Sequence, residues 1–160
     1  MIGLTKRMQE IRERLVLRSG GDDLDSLYPW FSAIAEQLNL PSSVAFRIHV
    51  VLEEAVTNAV LHGYDPGDSG DLSLEIAATP ERLVAILSDA GRPFNPLLQP
   101  ESPSEPKPIA EAMIGGLGVK LMRTYCSAME YRRAGETNEL TMGFDVSAMA
   151  AAAKPAGSDK

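Results

Sequence analysis

The sequence predicts an α+β two-layer sandwich, with helices packed on one face of a mixed, mainly antiparallel sheet. Three observations predict it. The segments run strand, helix, helix, strand, strand, loop, helix, strand, strand. The two pairs of consecutive strands are each joined by a connection short enough for a hairpin. The two leading helices are apolar on a side that needs a sheet to cover it.

Each element follows in turn. Residues 1–10 form a polar leader. Residues 11–17 alternate, with Ile11, Leu15 and Leu17 against Arg12, Arg14 and Arg18, as in a half-exposed first strand. Ser19-Gly20-Gly21-Asp22-Asp23 is a turn. Leu24, Leu27, Trp30, Phe31, Ile34 and Leu38 recur at helical spacing and give an amphipathic helix of about four turns. Leu40-Pro41 ends it, and Ser42 or Ser43 is offered as the cap of the next helix. That helix covers residues 44–61 and is apolar around much of its circumference, which makes it central. Strands at 72–78 and 82–88 flank the tight connection Thr79-Pro80-Glu81. From Arg92 to Ile114 regular patterning dissolves into proline, serine and charge. A third helix covers residues 119–126, and strands at 130–133 and 140–146 close the domain. The alanine-rich stretch 147–160 is expected to be a disordered tail.

At 160 residues and 44% hydrophobic content, the chain has the size and composition of a single core. Lys and Arg number 15 against 22 Asp and Glu, a net charge of −7. Such a balance speaks against extended nucleic-acid contacts, which need many cations against phosphates. One nucleotide is still admissible, because a helix N-terminus and a Mg²⁺ ion neutralise a few phosphates locally. A single cysteine, Cys126, excludes an internal disulfide and suits a reducing compartment. No apolar leader opens the chain, and no run of about 18 apolar residues appears, so the expected setting is cytoplasmic and away from membranes. Six of the eleven prolines fall at Pro93, Pro96, Pro100, Pro103, Pro106 and Pro108.

Three constellations carry chemistry. In the second helix Glu54, Asn58 and His62 are four apart and share one face. Inside an apolar helix they face a cavity, a metal or a partner, unless they form an ordinary solvated stripe. Ser88-Asp89-Ala90-Gly91 ends a strand, either as a plain turn or with Asp89 receiving a ligand's exocyclic amine. Gly115-Gly116-Leu117-Gly118 opens the third helix, either as a flexible entry or as an anion site made by backbone N–H groups and the helix dipole. It matches neither the Walker pattern nor a Rossmann glycine turn.

Together these motifs resemble the N box and the two glycine boxes of the gyrase–chaperone–histidine kinase–mismatch-repair ATPase superfamily, the Bergerat or histidine kinase-like ATPase fold. Within it the likeness is to bacterial anti-sigma factors that are also serine protein kinases. The residues that carry it are Glu54-Ala55-x-x-Asn58-Ala59-Val60-x-His62-Gly63-Tyr64, Asp89-x-Gly91-x-Pro93-Phe94 and Gly115-Gly116-Leu117-Gly118-x-x-Leu121-Met122-Arg123. It continues into Tyr131-Arg132-Arg133 and Asn138-x-Leu140-Thr141-Met142, and spans roughly residues 11–146.

The resemblance implies a role for each. Glu54 would be the general base that activates a serine hydroxyl. Asn58 would join the nucleotide site as a Mg²⁺ ligand. Asp89 would accept from the adenine amine, and Gly91 would let the backbone approach the base. Gly115, Gly116, Leu117 and Gly118 would cradle the phosphates of ATP. Residues 94–114 would form a lid over them. His62 would cap the helix end or face the phosphates, and Glu53 points about 100° away from Glu54. Where the family commonly carries an acidic stretch, this chain has Cys126-Ser127-Ala128. Neither His49 nor His62 sits in the context of a phosphoacceptor histidine.

The implied activity is that of a Mg²⁺- and ATP-dependent serine/threonine protein kinase acting as an anti-sigma factor. It would phosphorylate a serine of a small antagonist protein and sequester a sigma factor or similar regulator, with a homodimer as a further partner state. The alternative is a nucleotide-gated binding module without kinase activity.

Overall fold

The computed structural model of the protein describes residues 10–20, 22–99 and 117–154. Its sheet has five strands: β1 (Ile11–Arg18), β2 (Asp71–Ala78), β3 (Arg82–Asp89), β4 (Ala128–Ala134) and β5 (Thr137–Asp145). Their spatial order is β1-β2-β3-β5-β4. Every described pairing is antiparallel, so the sheet is not mixed. Helices α1 (Leu27–Gln37) and α2 (Ser42–Gly63) lie between β1 and β2, and α3 (Leu117–Tyr125) lies between β3 and β4.

Strand alternation explains the two layers. On β2 the buried residues are Leu72, Leu74, Ile76 and Ala78; on β3, Leu83, Ala85 and Leu87; on β5, Leu140, Met142 and Phe144. Helix α2 meets this surface with Val44, Ile48, Val51, Leu52, Ala55 and Val56. The opposite sheet face stays in water and carries exposed ion pairs such as Arg14–Glu75 and Arg18–Asp71, each at 3.6 Å. Pairs of this kind contribute little stability.

Several boundaries differ from the expectation. The first helix is preceded by a short 3-10 turn, Asp22–Ser26, and α1 starts at Leu27. It closes through Asn39, whose φ of 52° lies in the left-handed region, and Leu40 N–H donates to Ala35 O at 2.9 Å. Neither Ser42 nor Ser43 caps α2; Pro41 takes that position, and its carbonyl accepts from Val44 and Ala45 N–H at 3.0 Å. Residues 147–153, expected as part of a disordered tail, are helical in α4 (Val146–Ala153). Asp145 Oδ1 caps that helix by accepting from Ala148 N–H at 2.9 Å. The leader, Glu10 apart, and the rest of the tail beyond Lys154 lie outside the described residues, as do Gly115 and Gly116 and the lid from residue 100 to 114. No described helix is long and apolar enough to cross a membrane.

Candidate active site

One end of the core-facing surface is polar. The inward rows of β3 and β5 finish at Asp89 and Asn138, which face each other in the ladder. Among the described residues these two are the buried polar side chains, 7% and 5% exposed. Burying a carboxylate costs several kcal/mol unless donors meet it, on the order of the penalty for any unpaired ion. Here Asp89 Oδ1 accepts from Gly91 N–H and from Asn138 Nδ2, both at 2.9 Å. Asn138 Nδ2 also donates to Arg92 O at 2.9 Å, while its Oδ1 accepts from Tyr131 at 2.7 Å and Arg133 at 2.9 Å.

The Asp89–Gly91 turn is stitched to the end of α2. Arg92 N–H donates to Gly63 O at 2.9 Å. A Cβ at Gly91 would lie 2.8 Å from Gly63 Cα and 2.9 Å from Asp89 Oδ1. The turn therefore needs glycine at 91 for its packing against Gly63, whatever a ligand asks of it. This contact brings the Asp89 turn alongside Asn58, and both line one cleft with Ala59, Leu87, Phe94 and Leu140.

Glu54 lies one helical turn before Asn58 and is half-buried. Burial, with the Glu53 charge second, raises its pKa above the ordinary glutamate value. Among the described residues Glu54 and Asn58 have no side-chain hydrogen-bond or ion-pair partner. Glu53 points elsewhere: it is exposed, with Oε2 3.8 Å from His49 Nδ1. The start of α3 closes over Glu54, since a Cβ added at Gly118 would collide with Glu54 Oε2 and sit 3.0 Å from its Cδ. Leu117 begins α3 and is exposed. His62 stands in the last turn of α2, and its ring stacks on Phe94 with centroids 4.1 Å apart and planes 13° from parallel. Beyond Phe94 the chain packs down through the 3-10 turn Pro96–Leu98, and Arg123 of α3 donates to Leu97 O at 2.8 Å.

The structure thus brings Asn58 and Asp89 to one cleft, places Glu54 a turn away, and sets Gly118 against Glu54. Tyr131, Arg133 and Asn138 stand in the sequence without an assigned role, yet they hold Asp89 in place. A signal was present: Asn138 shares the inward parity of Leu140, Met142 and Phe144, where a polar residue needs a partner. The donor set suits the implied groups. Asp89 offers an acceptor to a base, and Asn58 offers one neutral oxygen, which fits Mg²⁺ held largely by phosphates and water. No cluster of three or more His, Cys, Asp or Glu able to hold a metal occurs among the described residues.

Residues 21–144 match the family of histidine kinase-like ATPase domains. The chain is 30% identical over 118 residues to the serine/threonine-protein kinase BtrW of Bordetella bronchiseptica, spanning 74% of this chain and 82% of that protein. It is 30% identical over 98 residues to the serine-protein kinase RsbW of Bacillus subtilis, spanning 58% and 60%. With the anti-sigma F factor of Shouchella clausii it shares 28% over 100 residues, spanning 62% and 67%. The histidine kinase domain of a blue-light activated histidine kinase from Erythrobacter litoralis superposes with a TM-score of 0.53 at 19% identity, covering 82% of this chain and 65% of that one. At that identity the likeness is one of fold. The family match, the BtrW likeness and the shared fold agree, and the chain belongs to the histidine kinase-like ATPase domain family.

Proposed function

We propose that this chain is an ATP-dependent serine/threonine protein kinase that acts as an anti-sigma factor in the cytoplasm. The observation that supports this most is the pairing of two kinds of group, Asp89 and Asn58 at one cleft and Glu54 a helical turn from it. Asp89 is buried and held by its own protein, whereas Glu54 and Asn58 find no partner among the described residues. Groups left unpaired beside a cleft are suited to a ligand and a substrate. The names of the relatives, serine-protein kinases and an anti-sigma factor, support the same reading.

In this reading ATP supplies the phosphoryl group and Mg²⁺ offsets its charge. Asp89 accepts the hydrogen bond of the adenine amine. Asn58 would hold the metal ion through its carboxamide oxygen. Glu54, whose proton affinity burial has raised, takes the proton from a serine hydroxyl of the antagonist as the serine oxygen bonds to the γ-phosphorus of ATP and the bond from that phosphorus to the β,γ-bridging oxygen breaks, releasing ADP. Gly118, with the glycines before it, lets backbone N–H groups approach the phosphates. The protein partners are a small antagonist that provides the serine, a sigma factor or similar regulator, and a second copy of the chain.

The test is incubation with Mg²⁺, γ-labelled ATP and a sigma-factor antagonist protein. Label on a serine of the antagonist is the expected result. ATP binding without transfer to any antagonist would instead favour a nucleotide-gated binding module.

A further inference from the structure

Asn138 stands between Asp89 of β3 and Arg133 of β4 in the ladder, so three polar side chains form a row across the end of the sheet. Their order fixes an orientation. A guanidinium has donors and no acceptor, so the Asn138 atom that meets Arg133 Nη1 at 2.9 Å must be the oxygen. The Tyr131 hydroxyl donates to that same oxygen at 2.7 Å. The amide nitrogen is thereby turned toward Asp89 Oδ1 and Arg92 O. Gly91 N–H takes Oδ1 as well, so both hydrogen bonds of Asp89 fall on one oxygen. Arg133 Nη1 also donates to Gly91 O at 2.8 Å, and its Nε donates to Gly135 O at 3.1 Å, which ties the guanidinium to both turns.

We propose that Arg133, Tyr131 and Asn138 are positioning residues that set base selectivity. They commit Asp89 Oδ1 to the protein and leave Oδ2 to accept from an exocyclic amine. The site then takes a 6-aminopurine nucleotide and rejects a 6-oxopurine nucleotide. An oxo group opposite Oδ2 would set two acceptors against each other with no donor between them. Without the β4 donors the Asn138 amide is free to flip, its oxygen then repels Asp89, and the carboxylate loses its fixed pose. This inference rests on the reading of Asp89 as the base-contacting residue.

Calorimetric Kd values for ATP and for inosine triphosphate, which carries oxygen in place of the amine, test it on wild type, Arg133→Met and Tyr131→Phe. Arg133→Met is expected to bind ATP about tenfold more weakly while inosine triphosphate changes by no more than about twofold. Tyr131→Phe, which keeps the ring and removes one hydroxyl, is expected to narrow the preference in the same direction by about threefold. It also keeps the test available if the arginine variant fails to fold. Equal weakening of both nucleotides, or an unchanged preference in a variant that folds, would overturn the inference and leave these residues a structural role only. A wild type that prefers neither nucleotide would overturn the reading of Asp89, and the inference with it. A selective wild type with equally selective variants would overturn the inference alone.

Discussion

The two sides of the site, the sheet end at Asp89 and the face of α2 that carries Glu54 and Asn58, are built in opposite ways. At the Asp89 end, Asp89 Oδ1, Asn138, Tyr131, Arg133 and the Gly91 and Arg92 backbones form one connected hydrogen-bond network, with Asp89 Oδ2 left outside it. Along α2, Glu54 and Asn58 share a helix face with no partner among the described residues, and Gly118 presses on the carboxylate. A hydrogen-bonded network of this kind holds its groups in fixed poses. Unpaired groups carry a cost that a ligand and a substrate would relieve. Under the proposed function the difference means that recognition is organised in advance by the sheet, while the groups assigned to the reaction wait on the helix for what they would act upon.

The largest test of that contrast is Glu54→Gln. Transfer to the antagonist serine is expected to fall by about a hundredfold or more, the usual range for loss of a general base, with ATP affinity changed by no more than about threefold. A measured transfer rate equal to wild type would remove the catalytic half of the comparison. The acid side of the wild-type rate profile should have its midpoint above the ordinary glutamate value of 4.5, because the carboxylate must be ionised to accept the proton. Next in size is Gly118→Ala. Its new methyl group displaces the Glu54 carboxylate, so transfer should slow by about tenfold, while stability should change by no more than about 1 kcal/mol because the displaced group is the end of a flexible side chain and alanine favours helix; antagonist labelling and denaturant unfolding read the two effects. The smallest effect concerns stability. A raised carboxyl pKa means that the folded chain binds the proton more tightly than the unfolded chain. Glu54 therefore weakens folding at neutral pH, and this penalty fades as pH drops through its folded pKa toward the unfolded value. Glu54→Gln should accordingly unfold at neutral pH at a temperature no lower than wild type.

Much of this contrast was readable from residues alone. Glu54 and Asn58 stood out because helical periodicity places them on one face, and Asp89-x-Gly91 because a turn breaks an alternating strand. Periodicity is local, and these features are local. The network at the other end is not. Asn138 meets Asp89 only through a strand register that joins residues 49 apart in sequence, and no spacing rule encodes that pairing. Likewise, Gly91 reads in sequence as room for a ligand, yet the close approach is to Gly63 at the end of α2. The stack of His62 on Phe94 joins a helix end to the strand-leaving segment and had no sequence signal beyond two aromatic rings. The helix at Val146–Ala153 was legible in principle, since alanine favours helix and Asp145 is a strong N-cap. The alanine-rich composition pointed equally to a simple polar-ended tail.

The central claim is that Asp89 anchors a nucleotide in a site whose catalytic residue is separate from it. Calorimetry with Mg·ATP on wild type, Asp89→Ala and Glu54→Gln, side by side, tests it most directly. Wild type and Glu54→Gln should bind with closely similar heats and affinities, and Asp89→Ala should bind about a hundredfold more weakly or show no binding. No heat of binding in the wild type, or equal affinity in Asp89→Ala, would contradict it.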